Sequence, residues 1–256
     1  MRAGLERETF EHEADRLLAA AGAAEVMIRL LGALAFRYHC PRHGDLQDRL
    51  RRVYTDIDFA GYGRDASSIR SFFAANGYNE DGAIYVASEG SRLVFDSGAS
   101  GLHIDVFLDK LEFSHTILWR GRLESDYPTI PLAELLLEKM QIVKINEKDL
   151  IDTAMILLEH ELGDVDEETV NMERVATLCA EDWGLYRTVT ENLDKVRQYA
   201  RSTDVIEAAE RDALDVRIAG ALERIEQEPK SMRWKLRARV GERVKWYQDV
   251  DEVGPT

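Results

Sequence analysis

Val53-Tyr54-Thr55-Asp56-Ile57-Asp58-Phe59 decides how the chain is read. Polar and apolar residues alternate along it, as they do along a half-buried β-strand. Residues two apart on a strand share a face. Asp56 and Asp58 therefore project together, and Ile57 and Phe59 lie on the opposite, buried face. Two carboxylates this close repel, and a cation between them or a shared proton usually holds such a pair. Oxygen donors on a rigid strand suit Mg²⁺ or Mn²⁺. The plainer reading is a solvent-facing strand edge that carries two acids.

Working outward, residues 102–108 read as another strand, with Asp105 between Ile104 and Val106. A lone acid in an apolar strand is costly if buried without a partner. If this strand pairs beside the first, Asp105 joins Asp56 and Asp58 as a third ligand; otherwise it faces water with His103 and Phe107. Asp109 falls on the same face, but at the strand end, and reads as a turn acid. Upstream, residues 26–31 form a short apolar strand, and Gly32-Ala33 opens a helix stopped by Pro41. Helix N-termini present free N–H groups that bind phosphate, and glycine lets the backbone approach closely.

Around these pieces the pattern predicts a helix over 9–21 and another over 66–76 capped by Asp65. Strands are expected at 84–87 and 92–95, and a polar loop or exposed helical turn over 42–52. Helices follow over 132–145 and 150–162, interrupted at Asn146, and then helix after helix from 167 to 247. The expectation is an α+β fold: a small mixed β-sheet core flanked by helices over 1–130, followed by a mostly helical region over 131–256.

Composition narrows the function classes. Of 256 residues, 45% are hydrophobic and 32% charged, which allows a sizeable core and excludes wholesale disorder. The net charge of −15 excludes a generally basic nucleic-acid coat, though not a local basic patch. Two cysteines without a CxxC exclude a disulfide scaffold and a cysteine-based zinc site. The first residues, MRAGLERETFEHEADRLL, are too acidic for a signal or transit peptide, and no apolar run is long enough to span a membrane. A cytoplasmic protein with no membrane partner is expected.

Three further features bear on function. His39-Cys40-Pro41-Arg42-His43 holds an i,i+4 histidine pair, but Pro41 forbids a regular helix there and no fourth ligand is evident. Arg49, Arg51 and Arg52 precede the Asp56 strand and offer charge for phosphates. Residues 229–247 carry seven cations against one anion, interleaved with Trp234, Trp246 and Tyr247. Basic residues among aromatics suit single-stranded RNA or a tRNA end. The plainer reading is an amphipathic helix whose cations pair with the acids of 204–228.

Gly32, then Asp56 and Asp58, then Asp105 resemble, in that order, the nucleotidyltransferase superfamily with the DNA polymerase β-like fold. The resemblance extends over about residues 25–160. It is strongest to the AbiEii-type branch, some of whose members are toxins of bacterial toxin–antitoxin pairs. That branch carries a helical lysine followed by an RD- or KD-type motif; here Leu135-Leu136-Leu137-Glu138-Lys139-Met140 precedes Glu147-Lys148-Asp149. The resemblance implies transfer of a nucleoside monophosphate from an NTP to an acceptor hydroxyl on an RNA end, a protein or a small molecule. It implies Mg²⁺ or Mn²⁺ on Asp56, Asp58 and Asp105, with Asp105 also orienting or deprotonating the acceptor. The Gly32 and Ala33 amides would meet the phosphates and Lys139 the triphosphate, with Asp149 beside Lys139 or the acceptor. An antitoxin protein would be a partner. Two features depart from the family: its turn is usually Gly-Gly or Gly-Ser, whereas Ala33 has no hydroxyl, and the interval from Gly32 to Asp56 is longer. The first departure sustains an alternative, a catalytically degenerate member acting as a binding or regulatory protein.

Overall fold

Period-two alternation builds one part of this protein and helical amphipathicity the other. The computed structural model describes residues 5–249. In chain order the elements are α1 (Arg7–Ala23), β1 (Ile28–Leu31), α2 (Gly32–His39), α3 (Asp45–Arg49), β2 (Ile57–Gly61) and α4 (Ala66–Ala75). There follow β3 (Asn79–Glu80), α5 (Gly82–Ala87), β4 (Arg92–Asp96), β5 (His103–Leu108), and a ribbon of β6 (Lys110–Glu112) and β7 (Thr116–Leu118). The remainder comprises α6 (Leu132–Met140), α7 (Glu147–Glu159), β8 (Glu161–Gly163), β9 (Thr169–Asn171), α8 (Met172–Glu181), α9 (Trp183–Ser202), α10 (Ala208–Gln227) and α11 (Met232–Val240). The class is α+β, a mixed sheet with helices and a helical C-terminal region.

These residues form two units. The first holds the chain up to Pro41, Arg51–Leu111 and Leu118–Pro131; the second holds Arg42–Leu50, Glu112–Ile117 and the chain from Leu132.

The first unit is a five-stranded sheet in the order β1-β2-β5-β4-β3. β2 and β5 run parallel and the other neighbours antiparallel. One face carries Ile57, Phe59, Ile104, Val106 and Phe95, all buried. Against it α4 sets Phe73, whose ring stacks on Phe95 at 4.5 Å and meets Phe59 at 6.1 Å. Truncating such a ring to alanine costs about 3–5 kcal/mol. The opposite face carries the acids. Beyond β1 the sheet edge is covered by the segment that follows Tyr127, with Leu30 N–H donating to the Pro128 carbonyl and Ile130 N–H to that of Leu30.

In the second unit α10 buries Leu214, Ile218, Ala221 and Ile225, one stripe at three- and four-residue spacing. Asn146 does not merely interrupt a helix: it caps α7. Its side chain accepts from the N–H groups of Lys148 and Asp149, and Asp149 accepts in return from Asn146 N–H.

Five local expectations need correction, and the first is that the strand read over 53–59 runs over Ile57–Gly61, with residues 53–56 outside it. Residues 84–87 are helical, not a strand, because Asp81 caps α5 by accepting from Ala83 N–H, and Val86 stays 77% exposed with no sheet to bury it. Asp65 stands at the N-cap of α4, but its side chain makes no cap hydrogen bond. The helix expected over 132–145 ends at Met140, where the buried Asn192 amide donates to the carbonyls of Met140 and Ile142. The helix expected to reach residue 162 ends at Glu159, and β8 then pairs with β9.

Candidate metal centre

The register of β2 on β5 places Asp58 directly opposite Asp105. Asp56 lies two residues before Asp58, just ahead of β2, and joins them. One carboxylate oxygen from each of the three lies within 4.8 Å of the others, an arrangement that could hold a metal ion. Asp105 is 3% exposed, while Asp56 and Asp58 are half-buried. Solvent therefore reaches Asp56 and Asp58, and Asp105 forms the inner wall.

Arg92 completes the cluster, and the sequence reading did not find it. It sits on β4, where Val94 is the residue opposite Asp105, so Arg92 lies diagonally across on the same face. Its Nε donates to Asp105 Oδ1 at 2.9 Å and its Nη2 to Oδ2 at 2.6 Å, a bidentate pair. Burial pulls the guanidinium pKa down. The hydrogen bond to Asp105 and the charges of Asp105, Asp58 and Asp56 outweigh it, so the net direction is up. The only sequence signal was a cation on a strand two positions out of register with an acid, which is legible once β4 is known to pair with β5. His103 stands at the margin, with Nδ1 3.0 Å from Asp96 and Nε2 4.0 Å from Asp105.

Gly32 begins α2 with φ +71°, a conformation that favours glycine. A Cβ there would collide with Asp58 Oδ2. The acid thus lies against the first turn of α2, at Gly32. Asp109 is a turn acid: it has φ +63° and accepts from Gly63 N–H at 3.0 Å.

Lys139 and Asp149 belong to the second unit. Lys139 Nζ lies 2.9 Å from Glu138, 3.3 Å from Asp149 and 3.6 Å from Asp152, all in the buried interior. Gln47, also buried, donates to Asp152 Oδ1 at 2.8 Å. The acids near the start of α7 are buried: Asp149 is 6% and Asp152 0% exposed.

The other candidates resolve locally. His39 bonds Thr129 and lies 3.5 Å from Asp126, whereas His43 pairs with Glu159, so neither ring needs a metal. Cys179 is buried, and burial pushes its thiol up to about 12, far from a nucleophile's range. Arg49 is engaged by Asp45, Glu210 and the Val205 carbonyl. Among the described residues no helix is long and apolar enough to cross a membrane. In comparisons with known proteins, no family model, no curated protein and no solved structure matches the chain.

Proposed function

We propose that the first unit is a metal-dependent nucleotidyltransferase, moving a nucleoside monophosphate from an NTP to an acceptor hydroxyl. The observation that carries this is the convergence of Asp56, Asp58 and Asp105 within 4.8 Å, beside the Gly32 turn that opens α2. An all-carboxylate donor set fits Mg²⁺ or Mn²⁺. When bound, the ion would neutralise phosphate charge and lower the pKa of the attacking hydroxyl. Asp56 and Asp58, reachable from solvent, would hold it. Asp105, fixed by Arg92, would orient the acceptor hydroxyl and receive its proton. The Gly32 and Ala33 amides would face the phosphates. The resemblance also assigns Lys139 to the triphosphate and Asp149 beside it; their ion pairs with buried acids favour a structural role, and the catalytic proposal is confined to the first unit. NTP substrates place such an activity in the cytoplasm, and a toxin-type member would take an antitoxin partner.

A second reading draws on Arg92, which engages both oxygens of Asp105. With the missing hydroxyl at Ala33, this favours a degenerate member that binds nucleotide without turnover. One experiment separates the two. The protein is incubated with each α-labelled NTP, Mg²⁺ or Mn²⁺, and pools of RNA, protein and aminoglycoside acceptors. Label transfer that Asp58→Asn abolishes supports the enzyme. Metal-dependent NTP binding without transfer supports the degenerate member, and neither binding nor transfer sinks both.

A further inference from the structure

The second unit contains a cavity of about 670 Å³, well inside the roughly 300–1,000 Å³ range of ligand sites. Its lining includes Trp183, Trp234, Trp246 and Tyr247, with Arg233, Arg237 and Lys245 among them. The rings are held in place. Trp183 and Trp246 meet edge to face at 6.1 Å, and Tyr247 meets Trp246 at 5.3 Å. The Trp246 indole donates to Thr188 Oγ1 at 3.2 Å. Gly184 leaves room for the Trp246 carbonyl, which a Cβ would approach to 2.6 Å. Gln248 N–H donates to the Ser114 carbonyl, fixing the segment that carries these rings.

The cavity lining carries three cations, Arg233, Arg237 and Lys245, against two acids, Glu181 and Asp182. None of the seven cations of 229–247 makes an ion pair with an acid of 204–228. Lys230 and Arg237 donate to backbone carbonyls, and Lys245 pairs with Asp249. The side chains of Arg233, Lys235, Arg239 and Arg243 make no hydrogen bond or ion pair among the described residues. Arg237 is a fixed cation 4.7 Å over the Trp183 ring. Of the two lining acids, Asp182 is spent on the N–H groups of Gly184 and Leu185. Burial holds the His115 imidazole pKa down, so it adds no charge at neutral pH. Four cations without a side-chain partner among the described residues, one of them, Arg233, on the cavity lining and the others on α11 and the turn after it, call for an anionic ligand in a chain of net charge −15, and four aromatic rings lining the cavity call for a planar one.

We propose that this cavity and the open cations of α11 and the turn after it bind single-stranded nucleic acid, with bases against the rings and phosphates on the cations. The inference stands on the second unit alone and needs nothing from the Asp56–Asp58–Asp105 reading. An anionic membrane surface is the competing occupant, because Met232, Leu236 and Val240 are 72%, 57% and 40% exposed at i,i+4 spacing on α11. A flat bilayer leaves the ring-lined cavity unused, so the nucleic acid is favoured.

The test uses the full chain in chelator, with a fluorescein-labelled oligouridylate of about a dozen nucleotides. Its deoxy counterpart, a duplex of equal length and phosphatidylserine vesicles are the other arms. Single-strand binding of either sugar is expected, and the ratio of the two tells which nucleic acid is preferred. Reversing Arg233, Arg239 and Arg243 together to Glu should weaken binding at least about tenfold and reduce the log–log salt slope by about 2. Tyr247→Leu should weaken it about five- to tenfold with the slope unchanged. Arg120→Glu, an exposed charge of the first unit, should leave it unaltered. No single-strand binding at low salt, equal binding of duplex, indifference to the triple reversal, or vesicle binding in place of nucleic-acid binding would overturn the proposal.

Discussion

Each unit holds three carboxylates around one cation, and the two clusters are built for different work. In the first unit Asp56, Asp58 and Asp105 stand on one sheet face with Arg92, and the cation is committed to one acid. Two of the acids remain open to solvent. In the second unit Glu138, Asp149 and Asp152 surround Lys139 in the interior, where Gln47 and the α7 capping box take up carboxylate oxygens. Composition does not distinguish them. Exposure does: an ion or phosphate can reach the first cluster, while the second has its counter-charge already packed inside. A buried cluster of this kind is costly to break and offers little to a ligand.

The largest effect should come from breaking the second cluster. Lys139→Met leaves three buried carboxylates without their cation and is expected to cost about 3–5 kcal/mol in denaturant unfolding. A loss under about 1 kcal/mol would mean that Lys139 is not structural, and would return it to the triphosphate role.

Next in size is the response to metal, which should belong to the first cluster alone. Mg²⁺ or Mn²⁺ at about 100 times its Kd should stabilise the protein by about 2.7 kcal/mol. Asp58→Asn should erase that gain, and Asp109→Asn, whose side chain accepts from Gly63 N–H outside the cluster, should keep it. Thermal unfolding with chelator and with metal reads both. A shift that persists in Asp58→Asn would put the ion elsewhere.

Arg92→Gln tests whether the arginine is a built-in counter-ion. In chelator it should cost about 1–3 kcal/mol, because nearly buried Asp105 loses a bidentate partner. The metal-induced shift should then exceed that of the unaltered protein, since Asp105 is freed to bind. If Arg92→Gln instead abolishes the metal response, Arg92 positions Asp105 and does not compete with the ion.

The smallest effect concerns a peripheral pair in the second unit. Burial raises the Glu159 pKa, but hydrogen bonds and charge from Arg42 and His43 lower it further, so its folded value lies below the unfolded one. Its contribution is therefore present above about pH 4.5 and lost as pH falls through the folded value. Stability curves of the unaltered protein and Glu159→Gln should converge between about pH 5 and 3. Curves that stay parallel would deny the pair any net contribution.

Much of the fold was legible because its signals are local. The strands at 28–31, 92–96 and 103–108, the glycine turn and the helices of the second half follow from alternation, amphipathicity and caps. Residues 84–87 misled because four apolar residues suit either structure, and a cap at Asp81 settled it. Asn146 was visible as a break, but its reciprocal bonding with Asp149 was not.

The sequence by itself determined that Asp56 and Asp58 share a face, that Asp105 interrupts an apolar strand, and that 229–247 concentrates positive charge among aromatic rings. These are properties of residues near one another along the chain. Only the tertiary structure decided that Asp58 lies opposite Asp105, that Arg92 answers Asp105, and that Lys139 is enclosed by acids of its own unit. Three carboxylates read along the chain call for a metal cation. In the fold part of that call is met by an arginine from a third strand, because cross-strand register is set by distant packing and places charges that alternation alone cannot pair.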